Sequence, residues 1–443
     1  MNSWLNQKRF GGNNKIAGVS VNLGATKGRG SSTRVFNYCK QTSKDPSQCI
    51  NQFITIKSSG SSGCTNIENI ALSSIATESP SGTWTLNSNT TITICQSLTV
   101  GDEDTLIITE GLTLTNYGTI TNSGGDINNN GGTITNNGII NNGGESTIDI
   151  DLNTSQTVGG IMTNNGTINN DGVIRCSPGA YIGDDEYVKN TINNSGSFYN
   201  NFSLYIEEYS NFNNLSGGTF NNNFDIFITG VINNISGSIF NNSSTITLEG
   251  TSSIGNIGIF NNSNTILLLE NSSIGNSGTF TNSNTITLNA TSTIVNSGTF
   301  TNSNTITLNA TSTIVNTGTF NNNSPDGALV VEAFCTFYNG QGRINSCIFY
   351  NRASVEINGS LINGGARSTD NNIFNIGGTI TNTGVIVNYF NNNFYNTNGG
   401  EIIQNGTFTN SGTIYNPIGS LVCGTGTITG TITGTIIDAC GPT

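Results

Sequence analysis

Side chains capable of chemistry are scarce in this 443-residue chain: 9% of residues are charged and histidine is absent. Without imidazole there is no Ser-His-Asp or Cys-His nucleophile arrangement and no zinc site that needs a histidine ligand. Four short groups of carboxylates stand out: Asp102, Glu103 and Asp104; Asp149 and Asp151, on one face of a strand; Asp184, Asp185 and Glu186; and Glu207 with Glu208. Clustered carboxylates of this sort serve polysaccharide lyases and hydrolases, often with a basic residue or calcium beside them. Arg175 and Lys189 lie near the 184–186 group in sequence. The regular centre of the chain is almost free of charge, so these groups read as solvated loop charges. The expectation is a non-enzymatic protein with no catalytic residue, no cofactor and no metal.

Nine cysteines stand at 39, 49, 64, 95, 176, 335, 347, 423 and 440, with none of the C-x-x-C spacing of zinc or redox sites. Pairings of Cys335 with Cys347 and of Cys423 with Cys440 are possible, and Cys39, Cys49, Cys64 and Cys95 could staple the N-terminal region. The odd count leaves at least one thiol free or intermolecular.

Charge is divided unevenly. Residues 1–50 carry +7 and the remainder −19. Lys8, Arg9, Lys15, Lys27, Arg29 and Arg34 form a basic arm expected to anchor the chain to an acidic partner protein, with nucleic acid or a lipid surface less favoured. Gly24, Gly28 and Gly30 surround Lys27 and Arg29, but the P-loop spacing is missing. The N-terminus MNSWLNQKRFGGNNK lacks the apolar core of a secretory signal, and no run of 18 apolar residues exists, so neither secretion nor a membrane span is expected.

The elements that hold these residues are set by a repeat. Phe220, Phe240, Phe260, Phe280, Phe300 and Phe320 recur every 20 residues, as do Ile286, Ile306 and their equivalents, Leu288 and Leu308, and Ile294 and Ile314; residues 277–296 recur unchanged as 297–316. Twenty residues are too few for two helices, and Thr-Ile-Thr-Leu alternates with the period of a strand. The fold class expected is all-β: a parallel β-helix (β-solenoid) of about 20 residues per coil, in right-handed coils. Phe280, Ile286, Leu288 and Ile294 face inward while Thr285 and Thr287 face out. Gly258, Gly278, Gly298 and Gly318 occupy corners, where glycine permits positive φ, and Asn242, Asn262, Asn282 and Asn302 form a corner ladder of stacked amides. With 75 Asn and 56 Gly in the chain, asparagine is structural before it is anything else.

Three regions are expected: a basic arm and cap over 1–64, a solenoid rod over 65–420 of about 18 coils, and a C-terminal cap over 421–443. Aromatic residues cluster at 198–212 and 387–396 and read as core or oligomer packing, with a carbohydrate-stacking platform as the sharper alternative. Sequons such as Asn165, Asn289 and Asn405 follow from composition alone and imply no glycan. Outward pairs such as Thr285 with Thr287 resemble the threonine ladders of ice-binding β-helices, but Leu267 interrupts the row.

The segments NYGTITNSGGDINNNGGTITNNGIINNGG (116–144) and TFTNSNTITLN (279–289) resemble Asn-rich β-helical repeat proteins encoded by large AT-rich DNA viruses of protists. They are also similar to bacterial β-helical adhesins and phage tail fibres. The viral resemblance implies a virion component, a fibre, spike or minor capsid protein, located in the virion and bound to other capsid proteins through the arm. A homotrimer and a host-surface glycan are further partners it implies; the adhesin resemblance would instead place the chain at a cell surface.

Overall fold

The computed structural model describes residues 32–39, 49–56, 64, 66–151, 158–178, 180–181, 187–323, 327–332, 335–339, 348–364, 370–417, 419–430 and 432–434. The chain divides into two compact units, Met1–Ile67 and Glu68–Thr443. In the first, Ser32–Cys39 pairs antiparallel with Cys49–Ile56, which sets Cys39 opposite Cys49 in the backbone register.

The second unit is a parallel β-solenoid with three faces. Strands such as Thr279–Asn282, Ile286–Leu288 and Thr293–Asn296 follow one another around a single coil, and each pairs in parallel with its counterpart one coil on. Among the described residues the first and second faces stack 17 strands each and the third 16, against the 18 or so coils expected. Insertions account for the shortfall. The register advances 20 residues from Asn262 to Asn282, but 30 from Asn170 to Asn200 and 29 from Asn322 to Asn351. The stack begins with Glu68–Ile70, which pairs in parallel with Gln96–Val100, followed by the 3-10 turn Leu72–Ser74 and the antiparallel pair Ala76–Glu78 with Thr83–Leu86. It continues through Ile432–Gly434 on the first face.

Alternation with period two explains which side chains enter the core. In strand after strand the burial runs half-buried, buried, half-buried, buried. Phe220, Phe240, Phe260, Phe280, Phe300, Phe320, Ile286, Leu288, Ile294, Ile306, Leu308 and Ile314 are all fully buried. From Phe240 to Phe320 the rings lie parallel, with centroids 4.5–5.0 Å apart and planes within 12°. Phe337, from the third face, meets Phe320 edge-on at one end of this run, and beyond the other end Phe212 meets Phe220 edge-on. Spacing alone does not impose the parallel stack, since Phe220 and Phe240, 4.6 Å apart, are tilted by 47° next to the Phe212 layer.

The glycine column has a different cause from the one expected. Gly258, Gly278, Gly298 and Gly318 do not adopt positive φ. A Cβ on Gly298 would instead meet the carbonyl oxygen of Gly278 at 2.2 Å. The backbones stack too tightly at this corner for any side chain. Left-handed backbone occurs at the corner between the second and third faces, at Gly250, Glu270, Ala290 and Ala310.

Candidate functional site

Asparagine builds the most continuous polar feature of the molecule. Between Asn122 and Asn416 every first-face strand turns an asparagine amide inward at or one residue before its end, and the amides bond from Asn122 through Asn242, Asn262, Asn282 and Asn302 to Asn416 without a gap, at 2.7–3.0 Å. A second ladder runs likewise from Asn116 to Asn410 along the third face, at 2.7–2.9 Å. Nearly all of these asparagines are under 2% exposed. In every rung Nδ2 of the earlier residue donates to Oδ1 of the later one. The orientation is fixed by backbone partners, since the second N–H of Asn276 or Asn296 reaches the carbonyl of Thr299 or Thr319. Outward amide rows run the other way: Asn261 donates to Asn241, and Asn233 to Asn213.

Among the described residues the two carboxyls with raised pKa values lie close together on the outer side of the second face. The register places Asn128, Asp149, Arg175, Tyr205 and Phe227 in a row along the axis. Ser177 donates its hydroxyl to Asp149 at 2.5 Å, and Arg175 Nε meets Glu207 Oε1 at 3.2 Å. The guanidinium also sits over the Tyr205 ring, 5.3 Å from its centroid, and that ring stacks on Phe227. Burial pushes the Asp149 carboxyl above its usual range, and Asp151 and Asp126 add to the rise against the hydrogen bond from Ser177 and the charge of Arg175. Glu207 is raised by burial as well, opposed by Arg175. Both carboxyls are thus committed to protein partners on the outer surface of a sheet.

Sequence proximity had associated Arg175 with the acids at 184–186, which lie outside the described residues; the structure pairs it with Glu207 instead. Their separation of 32 residues is one coil carrying an insertion. Lys189 is exposed. Among the described residues no group of three or more His, Cys, Asp or Glu side chains is arranged to hold a metal ion.

Cys176 is a buried free thiol pushed up to about 12 by desolvation, which makes it inert as a nucleophile. Cys335 is also free and buried, its Sγ donating to the Ala310 carbonyl at 3.1 Å, so the possible bridge to Cys347 is not formed. Cys335 immediately precedes the strand Thr336–Asn339 and its side chain is buried. Cys64, Cys95 and Cys423 are disulfide-bonded.

The aromatic clusters divide between core and surface. Phe198, Phe212 and Phe394 are fully buried, while Tyr199, Tyr209 and Tyr389 are partly exposed and Phe390 is 70% exposed. Tyr350, Phe374, Tyr395 and Tyr415 form an outward stack on the first face. Of the anchoring residues, Lys8, Arg9, Lys15, Lys27 and Arg29 lie outside the described residues, and Arg34 is placed only as a backbone position opposite Ile54. No helix among the described residues is long and apolar enough to cross a membrane. Neither a protein-family model nor a curated protein sequence matches this chain.

Proposed function

We propose that the chain is a non-enzymatic structural rod, built into a virion as a fibre, spike or minor capsid protein and held there by its basic N-terminal region. The observation that carries the structural part is the pair of unbroken inward amide ladders beside the stacked core. Each coil is bonded to the next through backbone and side chains alike, so bending the solenoid must break buried hydrogen bonds as well as packing. Such a body suits a load-bearing or spacing role. The surface supports the same reading, since the two raised carboxyls are engaged by Ser177 and Arg175 and the central coils present mainly Thr, Ser and Asn to solvent. The +7 charge of residues 1–50 beside a −19 remainder supports an electrostatic anchor.

The test is quantitative mass spectrometry of purified particles and of medium from the source organism, with cross-linking. Enrichment in particles, with cross-links from Lys8, Lys15 or Lys27 to another particle protein, is expected. Removal of residues 1–50 should abolish incorporation while leaving the solenoid folded. Unchanged incorporation of the truncated chain overturns the anchor, and abundance only in the medium overturns the virion role.

A further inference from the structure

The outer side of the first face changes character over its last coils. Where Thr281, Thr301 and Asn321 point outward in the middle, Tyr350, Phe374, Tyr395 and Tyr415 take the same register position further on. Their rings stack with centroids 5.1, 4.7 and 4.8 Å apart and planes 21°, 6° and 5° from parallel. Parallel pairing sets that distance, because each ring springs from a backbone position about 4.8 Å from the next.

The order of residues in the row decides which of them can react together. Phe374 separates Tyr350 from the next phenol, and the position after Tyr415 is Thr433. Tyr395 and Tyr415 are therefore the one pair of phenols in this row that lie face to face. Tyr415 is 40% exposed and Tyr395 half-buried, so both rings are open to solvent on the outside of the coil.

Two phenols in contact share a reaction that a lone phenol cannot complete within its own chain. Removal of one electron and the hydroxyl proton gives a phenoxyl radical, whose unpaired spin reaches the ring carbons ortho to the oxygen, Cε1 and Cε2. Two such radicals join through these carbons. Each joined carbon then gives up its hydrogen as a proton, a proton returns to each oxygen, and both hydroxyls are restored. The pair has lost two electrons and two protons in all, and one hydrogen peroxide takes them up to become two waters. Exposed side chains turn about χ1 and χ2 within nanoseconds, so rings already one strand spacing apart have little distance left to close.

We infer that Tyr395 and Tyr415 are an oxidative cross-linking site, at which peroxide acting through a haem peroxidase joins the two rings as dityrosine and ties successive coils covalently. The inference is independent of the virion reading, because it is tested on the isolated full chain.

The full chain at about 1 µM, treated with hydrogen peroxide and a haem peroxidase, should gain dityrosine fluorescence and lose the mass of two hydrogens while staying monomeric. Intrachain product should exceed cross-linked dimer at least about tenfold, since a partner one strand spacing away has a far higher effective concentration than a second chain. With disulfides reduced, cleavage after Glu356 and Glu401 in denaturant should leave peptides 357–401 and 402–443 joined, and fragment masses should place the bond at 395 and 415. Tyr415→Phe keeps a ring in the stack, as Phe374 does, and should lower the intrachain product at least about tenfold. Tyr395→Phe should do the same, and decides the matter should the first variant fail to fold. Tyr350→Phe and Tyr389→Phe should leave the product unchanged, and Phe374→Tyr should add cross-links from position 374. The inference is overturned if no dityrosine forms, if the product is mainly dimeric, or if it persists in the folded Tyr415→Phe or Tyr395→Phe chain. A bond that maps instead to Tyr181 and Tyr187, which stand opposite each other in the backbone register, overturns it as well.

Discussion

Replacement of Asn282 by alanine breaks one rung of a ladder whose energetics can be worked out from its partners. Asn262 Nδ2 donates to Asn282 Oδ1 at 2.7 Å, and Asn282 Nδ2 donates to Asn302 Oδ1 at 2.8 Å. Within the ladder the substitution leaves one buried N–H on Asn262 and one buried oxygen on Asn302 without a partner; the half-buried Asn284 carbonyl, to which Asn282 also donates, can turn to water. At about 1–3 kcal/mol for each orphaned group, the cost is about 2–6 kcal/mol. Asn262→Ala likewise orphans Asn242 Nδ2 and Asn282 Oδ1. The double variant, however, leaves only the two outer ends, Asn242 and Asn302, unbonded. It should cost about 2–6 kcal/mol, not the sum of about 4–12, because a gap has two ends whatever its length.

Urea denaturation followed by far-UV circular dichroism gives the global change. Hydrogen exchange at the Ser283 and Ser303 amides, bonded to the carbonyls of Asn262 and Asn282, gives the local one. A double variant that costs the full sum, or single changes worth less than about 0.5 kcal/mol, would falsify the ladder as a bonded unit. The converse change extends it. Asn122 Oδ1, at the N-terminal end, is buried without a hydrogen-bond partner, and Val100 occupies the rung position below it, fully buried. Val100→Asn supplies the missing donor but moves the orphaned oxygen one rung down and gives up a buried valine, so it should destabilise by about 1–3 kcal/mol.

Two further outcomes follow from the geometry. Burial raises the Asp149 carboxyl above its unfolded value, so its stabilising contribution is complete below the usual carboxylate range and is lost as pH rises through the raised value. Asp149→Asn should therefore gain stability relative to the parent as pH rises from about 4 to about 7, measured by thermal midpoints across that window; a gain confined to acid would contradict the assignment. Deletion of residues 297–316 removes one whole coil and joins Asn296 to Thr317, the same dipeptide that Asn316 and Thr317 make in the parent. That chain should fold with an unchanged dichroism spectrum and a body shorter by about 4.8 Å in small-angle scattering, whereas deletion of 297–306 should not fold, since half a coil brings unlike faces into register.

The architecture was legible because a solenoid repeats its contacts at the period of its sequence. Phe280 pairs with Phe300, and Ile286 with Ile306, so identity at a spacing of 20 is identity in space. The reason for the glycine column was not legible: positive φ and crowding both select glycine, and only the 2.2 Å approach to the Gly278 carbonyl separates them. The direction of the amide ladders was hidden too, because it is set by backbone carbonyls that sequence does not place.

The surface features escaped for a different reason. Arg175 and Glu207, and the stack of Tyr350, Phe374, Tyr395 and Tyr415, sit where insertions break the 20-residue period, so a fixed-interval search cannot align them. The asparagine rung supplies a better ruler. Ile348–Asn351, Asn372–Asn375, Asn393–Asn396 and Thr413–Asn416 read IFYN, NIFN, NFYN and TIYN, each ending on a residue of one bonded ladder. Aligned on that terminal asparagine, the residue before it points outward and is aromatic in all four. The buried amide must meet its neighbour within hydrogen-bonding distance, so the rung tolerates no slip, and every other position of the coil can be counted from it. In an Asn-rich solenoid the ladder is thus the register mark, and outward rows that bind or repel become readable once the chain is cut at its rungs and not at a constant length.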